Sequence, residues 1–187
     1  MIVIVHGYEG SGPGHWQHWL REELEKLGEP AAFPALPDDT DPRCDAWVQT
    51  LRDVVGGLGE PVTFAAHSLG CWAVDHYLAR HGAAGVRGAL LVAPPSPYSL
   101  FEPIQSFLPP PRSRAAWSAL GEHSLLLGSD NDDYAGDDEI VELGRTLGVP
   151  HRILPGSGHI NASSGFGPFP LALDWLRESG ALVHTRR

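Results

Sequence analysis

The sequence lacks long hydrophobic runs and carries little positive charge. No apolar run approaches the roughly 20 residues that span a bilayer, so no membrane-spanning segment is expected. The opening "MIVIVHG" is strand-like and has no basic n-region, so no secretory signal is expected either. The formal net charge is −10 and the lysines and arginines are scattered, which argues against nucleic acid or an anionic membrane as a partner.

Cysteine is also scarce. The two cysteines, Cys44 and Cys71, match no zinc-ribbon or redox spacing, so we expect buried thiols in a cytoplasmic protein rather than a disulfide. The chain has 187 residues, of which 42% are hydrophobic. This length and composition predict a single domain over residues 1–187 with a sizeable core.

What the sequence does contain is a regular alternation of short apolar runs and longer segments with helical periodicity. Several runs are continuous stretches of small and branched residues, which is typical of strands buried on both faces of a parallel sheet. The predicted strands are residues 2–5, 31–33, 62–66, 88–93, 124–128 and 151–154. The predicted helices are residues 15–27, 43–57, 69–81, a segment capped by Asp137 and ended by Gly148, and residues 169–179.

About six such alternations predict an α/β fold with a doubly wound, mostly parallel six-stranded sheet flanked by helices. One segment interrupts the alternation, residues 94–112, "PPSPYSLFEPIQSFLPPPR", which we call the proline-rich segment. Its prolines exclude a long regular helix, and it is too short for a lid domain. We expect an ordered excursion beside the carboxyl edge of the sheet.

In open α/β sheets the functional groups follow the carboxyl ends of the strands. The first strand is followed by the glycine-rich "HGYEGSGPGHWQHW", whose glycine spacing fits neither a dinucleotide-binding loop nor a P-loop. The loop is either a flexible connection or an oxyanion loop, in which the backbone N–H of Tyr8 is the natural donor. His15 and His18 lie three residues apart, but no third ligand can be placed, so no metal site is predicted.

The third strand runs into "TFAAHSLGCW", residues 63–72, which resembles a nucleophile elbow. Ala66 and Gly70 fill the two small positions around Ser68, although the usual pattern has glycine at the first. Alanine fits there if its backbone avoids positive φ. The Leu69 N–H, at the start of the next helix, would be a second oxyanion donor. Alone the motif is weak, since a serine between a strand and a helix is ordinary.

The fifth and sixth strands supply two further groups. "SDNDDY" offers Asp130, Asp132 and Asp133, which are either a solvated acidic loop or the source of a triad acid. "PGSGHINASSGFGPFP" places His159 just before the last helix, where a general base would stand. The order serine, aspartate, histidine is that of α/β-hydrolases. Most of the ten histidines need no special role, and His81, His123 and His184 are interpreted as ordinary surface residues.

These motifs make the chain resemble the retinoblastoma-binding protein 9-like family of small serine hydrolases. The resemblance covers nearly the whole chain and rests on "HGYEGSGPGHWQHW", "AHSLGC", "GSDNDDY" and "GHINASSGFGPFP". It implies an α/β-hydrolase fold of reduced size without a large cap, and a triad of Ser68, His159 and Asp132. The family pattern S-x-x-D-P-Y, laid on "SDNDDY", gives Ser129, Asp132 and Tyr134 and so selects Asp132 as the acid. Asp133 stands where the family usually has proline.

The resemblance and the residues together predict a serine hydrolase that cleaves small or medium acyl esters through a covalent acyl-enzyme, with thioesters and amides as further candidates. Such chemistry needs no metal or organic cofactor. The expected partner is a small-molecule substrate, not nucleic acid or membrane, and the sequence indicates no protein partner. The alternative is a protein-interaction module on a hydrolase scaffold with little physiological catalysis.

Without a large cap, the loops at residues 8–16, 94–112 and 160–169 would wall the substrate pocket. The side chains predicted to line it are His15, Trp16, Tyr98, Phe101, Phe107 and Phe166. The alternative for each aromatic side chain is that it covers the edge of the sheet as part of the core.

Overall fold

The computed structural model describes residues 1–182, so the predicted surface residue His184 lies outside the described residues. The strands are β1 (Ile2–Val5), β2 (Ala31–Ala32), β3 (Val62–His67), β4 (Val86–Val92), β5 (Ser124–Ser129) and β6 (His151–Leu154). They form one sheet in the order β2-β1-β3-β4-β5-β6, and every neighbouring pair is parallel. The predicted doubly wound sheet is therefore confirmed, with all six strands parallel.

The helices are α1 (Trp16–Lys26), α2 (Cys44–Leu58), α3 (Leu69–His81), α4 (Arg114–Ser118), α5 (Asp137–Leu147) and α6 (Pro170–Glu178). The prediction that Asp137 caps α5 is wrong, because Gly136 is the N-cap and Asp137 is the first helical residue. Glu139 turns back to accept the Gly136 N–H at 2.9 Å, which fixes that start. Gly148 ends the helix in the left-handed region, as predicted. None of the helices between residues 1 and 182 has the length and apolarity needed to cross a bilayer.

Two hydrophobic clusters cover the two faces of the sheet. In β1, Val3 and Val5 belong to one cluster, while Ile2 and Ile4 belong to the other. This alternation follows from the two-residue period of a strand. Helices α2, α3, α4 and α5 pack on the first face, and α1 and α6 pack on the second. The near-continuous apolar runs thus reflect burial on both faces, and Cys44 and Cys71 are free, buried thiols in the first cluster.

The proline-rich segment is ordered by the side chains of α3. It contains only a six-residue 3₁₀ turn, Glu102–Phe107, which agrees with the expected lack of a long helix. Three side chains of α3 bind its backbone. The bonds join Trp72 Nε1 to the Pro95 carbonyl (3.1 Å), His76 Nε2 to the Phe107 carbonyl (3.0 Å) and Asp75 Oδ2 to the Arg112 N–H (2.8 Å). The segment is therefore fixed at both ends and near its middle.

Candidate active site

A single residue, Ser68, connects β3 to α3. Its backbone has φ 51° and ψ −126°, a conformation that costs an L-residue on the order of 1–3 kcal/mol and occurs mainly at functional sites. The Ser68 N–H donates to the Val92 carbonyl at 2.9 Å, which ties the turn to the end of β4. Ala66 lies within β3 and outside the positive-φ region, so alanine is accommodated there.

The turn at Ser68 packs backbone against backbone on the end of β1. A Cβ on Gly70 would lie 2.5 Å from the His6 carbonyl oxygen and 2.6 Å from that of Val5. A Cβ on Gly7 would lie 2.8 Å from the Ser68 Cβ. Only glycine fits at both positions, and this close approach brings the loop after β1 beside Ser68.

Ser68, His159 and Asp132 form one chain of hydrogen bonds. Ser68 Oγ lies 2.9 Å from His159 Nε2, and His159 Nδ1 lies 2.8 Å from Asp132 Oδ2 and 3.1 Å from Oδ1. The carboxylate accepts, so Nδ1 carries the ring proton and Nε2 is free to accept from the serine hydroxyl. The Asp132 side chain is only 3% exposed, and that of His159 is 12% exposed. The arrangement can move the hydroxyl proton to the imidazole.

The residues beside Asp132 hold the loop that carries His159. Asp133 is exposed, and Asp130 is engaged by backbone rather than by histidine. Three consecutive N–H groups before His159 donate to side chains at the end of β5. The bonds run from Gly156 to Asp130 Oδ1 (2.7 Å), from Ser157 to Ser129 Oγ (3.0 Å) and from Gly158 to Asn131 Oδ1 (2.7 Å). Sequence reasoning considered only carboxylates as functional groups here. It named Ser129 as a position of the family pattern but assigned neither Ser129 nor Asn131 this supporting role, since only the pairing of β5 with β6 brings their partners near.

Two further aromatic rings contact His159, and the sequence had assigned a role beside the histidine to neither of them. The buried His67 ring lies 4.9 Å from it, and His67 Nε2 lies 2.9 Å from the His159 carbonyl, to which it must donate. Burial, reinforced by nearby histidines, lowers the pKa of His67 well below its usual range, so the ring stays neutral. Tyr134 lies 4.4 Å from the His159 ring, and its N–H donates to Asp132 Oδ1 at 2.9 Å. These contacts restrict the orientation of His159.

Tyr8 and Leu69 line the same cavity as Ser68. Leu69 is the first residue of α3, so its N–H has no partner within the helix. Tyr8 follows β1 in the glycine-rich loop. Within residues 1–182 neither N–H donates to another protein group. Donors left free in this way can stabilise an oxyanion that forms beside Ser68.

The cavity at Ser68 has a volume of about 260 Å³. The three predicted loops all contribute to its wall, and His15 and Phe101 line it. The other lining side chains include Tyr8, His67, Leu69, Pro95, Ile104, Tyr134, Asn161, Ala162 and Ser163. Ile104 and Tyr134 were not among the predicted lining residues, although Tyr134 is the last residue of the "GSDNDDY" motif.

Four predicted pocket residues do not line this cavity. Trp16 is fully buried against Phe169 in the core, because the inward face of α1 carries it there. Phe166 packs on the same Phe169 ring, and Phe107 is buried in the opposite cluster. Tyr98 is 67% exposed and points to solvent from the proline-rich segment. Trp16, Phe166 and Phe107 therefore pack in or against the hydrophobic core, as the alternative interpretation of these aromatic residues predicted.

The paired histidines of the glycine-rich loop have structural partners. His15 is the N-cap of α1, and its Nδ1 accepts the Gln17 N–H at 3.2 Å. His18 Nε2 lies 2.7 Å from the Ser11 carbonyl. Among residues 1–182, no three histidine, cysteine or acidic side chains are grouped as metal ligands.

Comparisons with known proteins agree with this architecture. The model of the serine hydrolase family matches residues 2–178. The YdeN protein of Bacillus subtilis (strain 168) is 24% identical over 177 residues, which are 94% of this chain and 93% of that protein. Its crystal structure superposes with a TM-score of 0.82 at 26% identity and covers 96% of this chain and 98% of that one.

Two other solved structures extend the comparison. A YdeN-like protein from Pectobacterium atrosepticum has a TM-score of 0.80 at 27% identity and covers 96% of this chain and 90% of its own. A thermophilic esterase from Thermogutta terrifontis shares the fold, with a TM-score of 0.69 at 15% identity over 95% of this chain and 89% of its own.

Proposed function

The chain belongs to the serine hydrolase family, with the α/β-hydrolase fold, and from this premise we propose that it hydrolyses acyl esters through a triad of Ser68, His159 and Asp132. The observation that carries the proposal is the continuous hydrogen-bond chain from Ser68 Oγ through His159 to Asp132. The strained backbone of Ser68 supports it, because the turn presents the hydroxyl at the cavity.

In the proposed reaction His159 Nε2 takes the Ser68 proton while Oγ attacks the acyl carbonyl. The N–H groups of Tyr8 and Leu69 stabilise the oxyanion, and Asp132 stabilises the imidazolium. His159 then protonates the leaving alcohol, which departs and leaves an acyl-serine. Water next gives a proton to His159 and attacks the acyl-serine, which releases the acid and restores the hydroxyl.

The proposed substrates are small molecules with short or medium acyl groups. A cavity of about 260 Å³, walled by loops rather than by a large cap, supports this size range. Thioesters and amides remain further candidates, because the same triad chemistry serves all three bonds. The same proposal includes membership of the retinoblastoma-binding protein 9-like family. It also includes a single catalytic domain over residues 1–187.

The second candidate function is a protein-interaction module. The observation that favours it is apolar exposure beside the cavity, where Tyr98 is 67% exposed and Leu100 is 94% exposed. Patches of this kind mark contact surfaces. On this alternative Ser68 would have little or no physiological turnover.

A fluorophosphonate probe, followed by mass spectrometry of the adduct, separates the two candidates. The hydrolase proposal expects labelling at Ser68 that is abolished in Ser68→Ala and falls sharply in His159→Ala. The matched control is Ser163→Ala, which removes another hydroxyl of the same cavity and should keep the label. Ser68→Ala should also lower kcat on p-nitrophenyl acetate by on the order of 10⁴-fold or more. A folded wild type without label would refute the proposal.

The choice of acid is tested in the same assay. Asp132→Asn should lower turnover by on the order of 10³- to 10⁴-fold, because an amide cannot stabilise the imidazolium. Asp133→Asn should retain turnover, since Asp133 is exposed and His159 Nδ1 is hydrogen-bonded to Asp132. The reverse pattern would assign the acid to Asp133.

A further inference from the structure

The exposed side chain of Tyr134 lies beside the triad histidine in the wall of the cavity. Its ring centroid is 4.4 Å from that of the His159 ring, and the two planes are tilted by 52°. Tyr134 is 60% exposed and lines the same cavity as Ser68, so a bound molecule can reach its ring. The His67 ring, which also contacts His159, is only 5% exposed and presents no such surface.

The backbone of Tyr134 is fixed on both sides of its side chain. The N–H donates to Asp132 Oδ1 at 2.9 Å, and the carbonyl accepts the Ser96 N–H at 2.8 Å. The first bond ties Tyr134 to the triad acid, and the second ties it to the proline-rich segment. The ring is therefore held as an apolar surface beside His159 before any substrate binds, which reduces the entropy lost on binding.

The proposed reaction places the leaving group on this side of the cavity. The leaving oxygen must lie within hydrogen-bond reach of His159 Nε2, because that atom protonates it as the bond to the acyl carbon breaks. The group attached to the oxygen therefore lies beside the His159 ring. Two polar residues of the same wall, Asn161 and Ser163, are engaged with each other, since the Ser163 hydroxyl donates to Asn161 Oδ1 at 2.7 Å. The Tyr134 ring is the exposed aromatic surface that remains next to the leaving group.

We propose that Tyr134 is a specificity-determining residue, whose ring packs against an aromatic ring in the leaving group of the substrate. The site then favours esters of phenols and arylmethanols over esters of saturated alcohols of the same size. An aromatic pair is stabilised beyond its apolar contact, because the negative face of one ring attracts the positive edge of the other. This inference rests on the proposed function, because it concerns the alcohol half of the same ester.

The test compares acetate esters that differ only in the saturation of the ring in the alcohol. The pairs are benzyl acetate with cyclohexylmethyl acetate, and phenethyl acetate with cyclohexylethyl acetate. Each kcat/KM is divided by the rate constant of hydroxide-catalysed hydrolysis of the same ester, which removes intrinsic reactivity. The saturated ring has the larger apolar area, so burial alone favours it. The wild type should instead prefer the aromatic ester in at least one pair by about 2- to 10-fold, the range expected of one aromatic pair.

Variants of Tyr134 then assign the preference. Tyr134→Leu and Tyr134→Met remove the ring but keep an apolar side chain and both backbone bonds. Either variant, whichever is folded by circular dichroism, should bring the ratio close to 1. Tyr134→Phe keeps the ring and should keep the wild-type ratio. The matched control is Tyr98→Leu, which removes a tyrosine of similar exposure, 67%, that does not line the cavity and should also keep the ratio.

Three outcomes would overturn the inference. The wild type could show no preference for the aromatic ester in either pair. Tyr134→Leu and Tyr134→Met could lower kcat/KM for both esters of a pair equally, which would leave Tyr134 only the positioning of His159. Tyr134→Phe could lose the preference, which would assign it to the hydroxyl and not to the ring. Labelling of Ser68 with a flat ratio refutes this inference alone, whereas absent labelling and turnover refute the proposed function and this inference with it.

Discussion

Single residues set the distance between the turn at Ser68 and the end of β1. Gly70→Ala would push a methyl group against the carbonyl oxygens of His6 and Val5, which are backbone atoms and cannot rotate away. We expect a loss of about 1–3 kcal/mol in the free energy of unfolding and slower labelling of Ser68. Urea unfolding and the rate of fluorophosphonate labelling measure the two effects.

A second glycine in a helix gives the matched control. A Cβ on Gly56, within α2, would meet no atom within 4 Å. Gly56→Ala should therefore leave labelling unchanged and raise stability by up to about 1 kcal/mol through helix propensity. Equal losses in both variants would contradict the steric explanation.

Asn131 binds the backbone of the loop that carries His159. Its Oδ1 accepts both the Gly158 N–H and the Ser129 hydroxyl, each at 2.7 Å. In Asn131→Ala the loop before His159 loses this support, and displacement of the imidazole should lower kcat by about 10- to 100-fold. Asn131→Asp keeps an acceptor and should recover part of that loss. Steady-state kinetics with p-nitrophenyl acetate provide the measurement, and an unchanged kcat in Asn131→Ala would count against this role.

At the scale of elements, α3 begins directly after Ser68, and its side chains also bind the proline-rich segment beside the cavity. Asp75 lies at the centre of that contact, with Trp117 Nε1 at 2.7 Å and the Arg112 N–H at 2.8 Å. Burial raises the pKa of Asp75, and the two donated bonds act in the opposite direction. Asp75→Asn would turn an NH₂ group toward one of these donors.

We therefore expect Asp75→Asn to lower the free energy of unfolding by about 1–3 kcal/mol and to speed tryptic cleavage after Arg112. The control is Asp174→Asn, which breaks only an exposed ion pair with Arg177 and should change stability by less than about 1 kcal/mol. Urea unfolding and timed proteolysis compare the two variants. Equal effects would show that burial of the Asp75 carboxylate has no special role.

Elements with strong periodic patterns were predictable from the sequence. The apolar runs indicated all six strands to within a few residues, because burial on both faces leaves a continuous apolar signal. Helix α4 was missed, since its five residues are too few for a helical period to show. Trp16 was assigned to the pocket because it follows the glycine-rich loop, and only the rotational phase of α1 places it in the core.

The candidate site was partly predictable, because its three triad residues lie in loops that follow strands. Ser68 follows β3 directly, and Asp132 and His159 lie three and five residues after the ends of β5 and β6, so the order of motifs along the chain indicated all three. Their supporting partners are not local in sequence. Ser129 and Asn131 bind backbone that lies 28 and 27 residues away, and His67 binds the carbonyl of a residue 92 positions later. Such bonds carry no sequence signature.

For the molecule as a whole, buried histidines link stability to pH. Burial lowers the pKa values of His15, to about 4, and of His67, whereas unfolding returns both to about 6.5. At pH values between the folded and the unfolded pKa of each histidine, the unfolded chain binds more protons than the folded chain. The free energy of unfolding therefore falls as pH decreases. We expect a slope of up to about 1.4 kcal/mol per pH unit for each histidine below pH 6.5. Urea unfolding from pH 7.5 to 4.5 measures it.

His67→Gln separates this titration from other groups. Glutamine can still donate to the His159 carbonyl but does not titrate, so the variant should show a shallower decline below pH 6.5. Asp75, whose pKa burial raises, contributes with the opposite sign, and its contribution is the same in both proteins. An identical slope in wild type and variant would contradict the assignment to His67.

Because all six strands are parallel, the turns that precede them lie at the edge opposite to the cavity. Both native thiols are buried, and burial raises the pKa of Cys44 to about 11 and that of Cys71 further. A cysteine introduced at Glu122, exposed in the turn before β5, would therefore be the one readily alkylated thiol. A dye or solid support coupled there would leave the mouth of the cavity facing solution, so the fold suits oriented immobilisation.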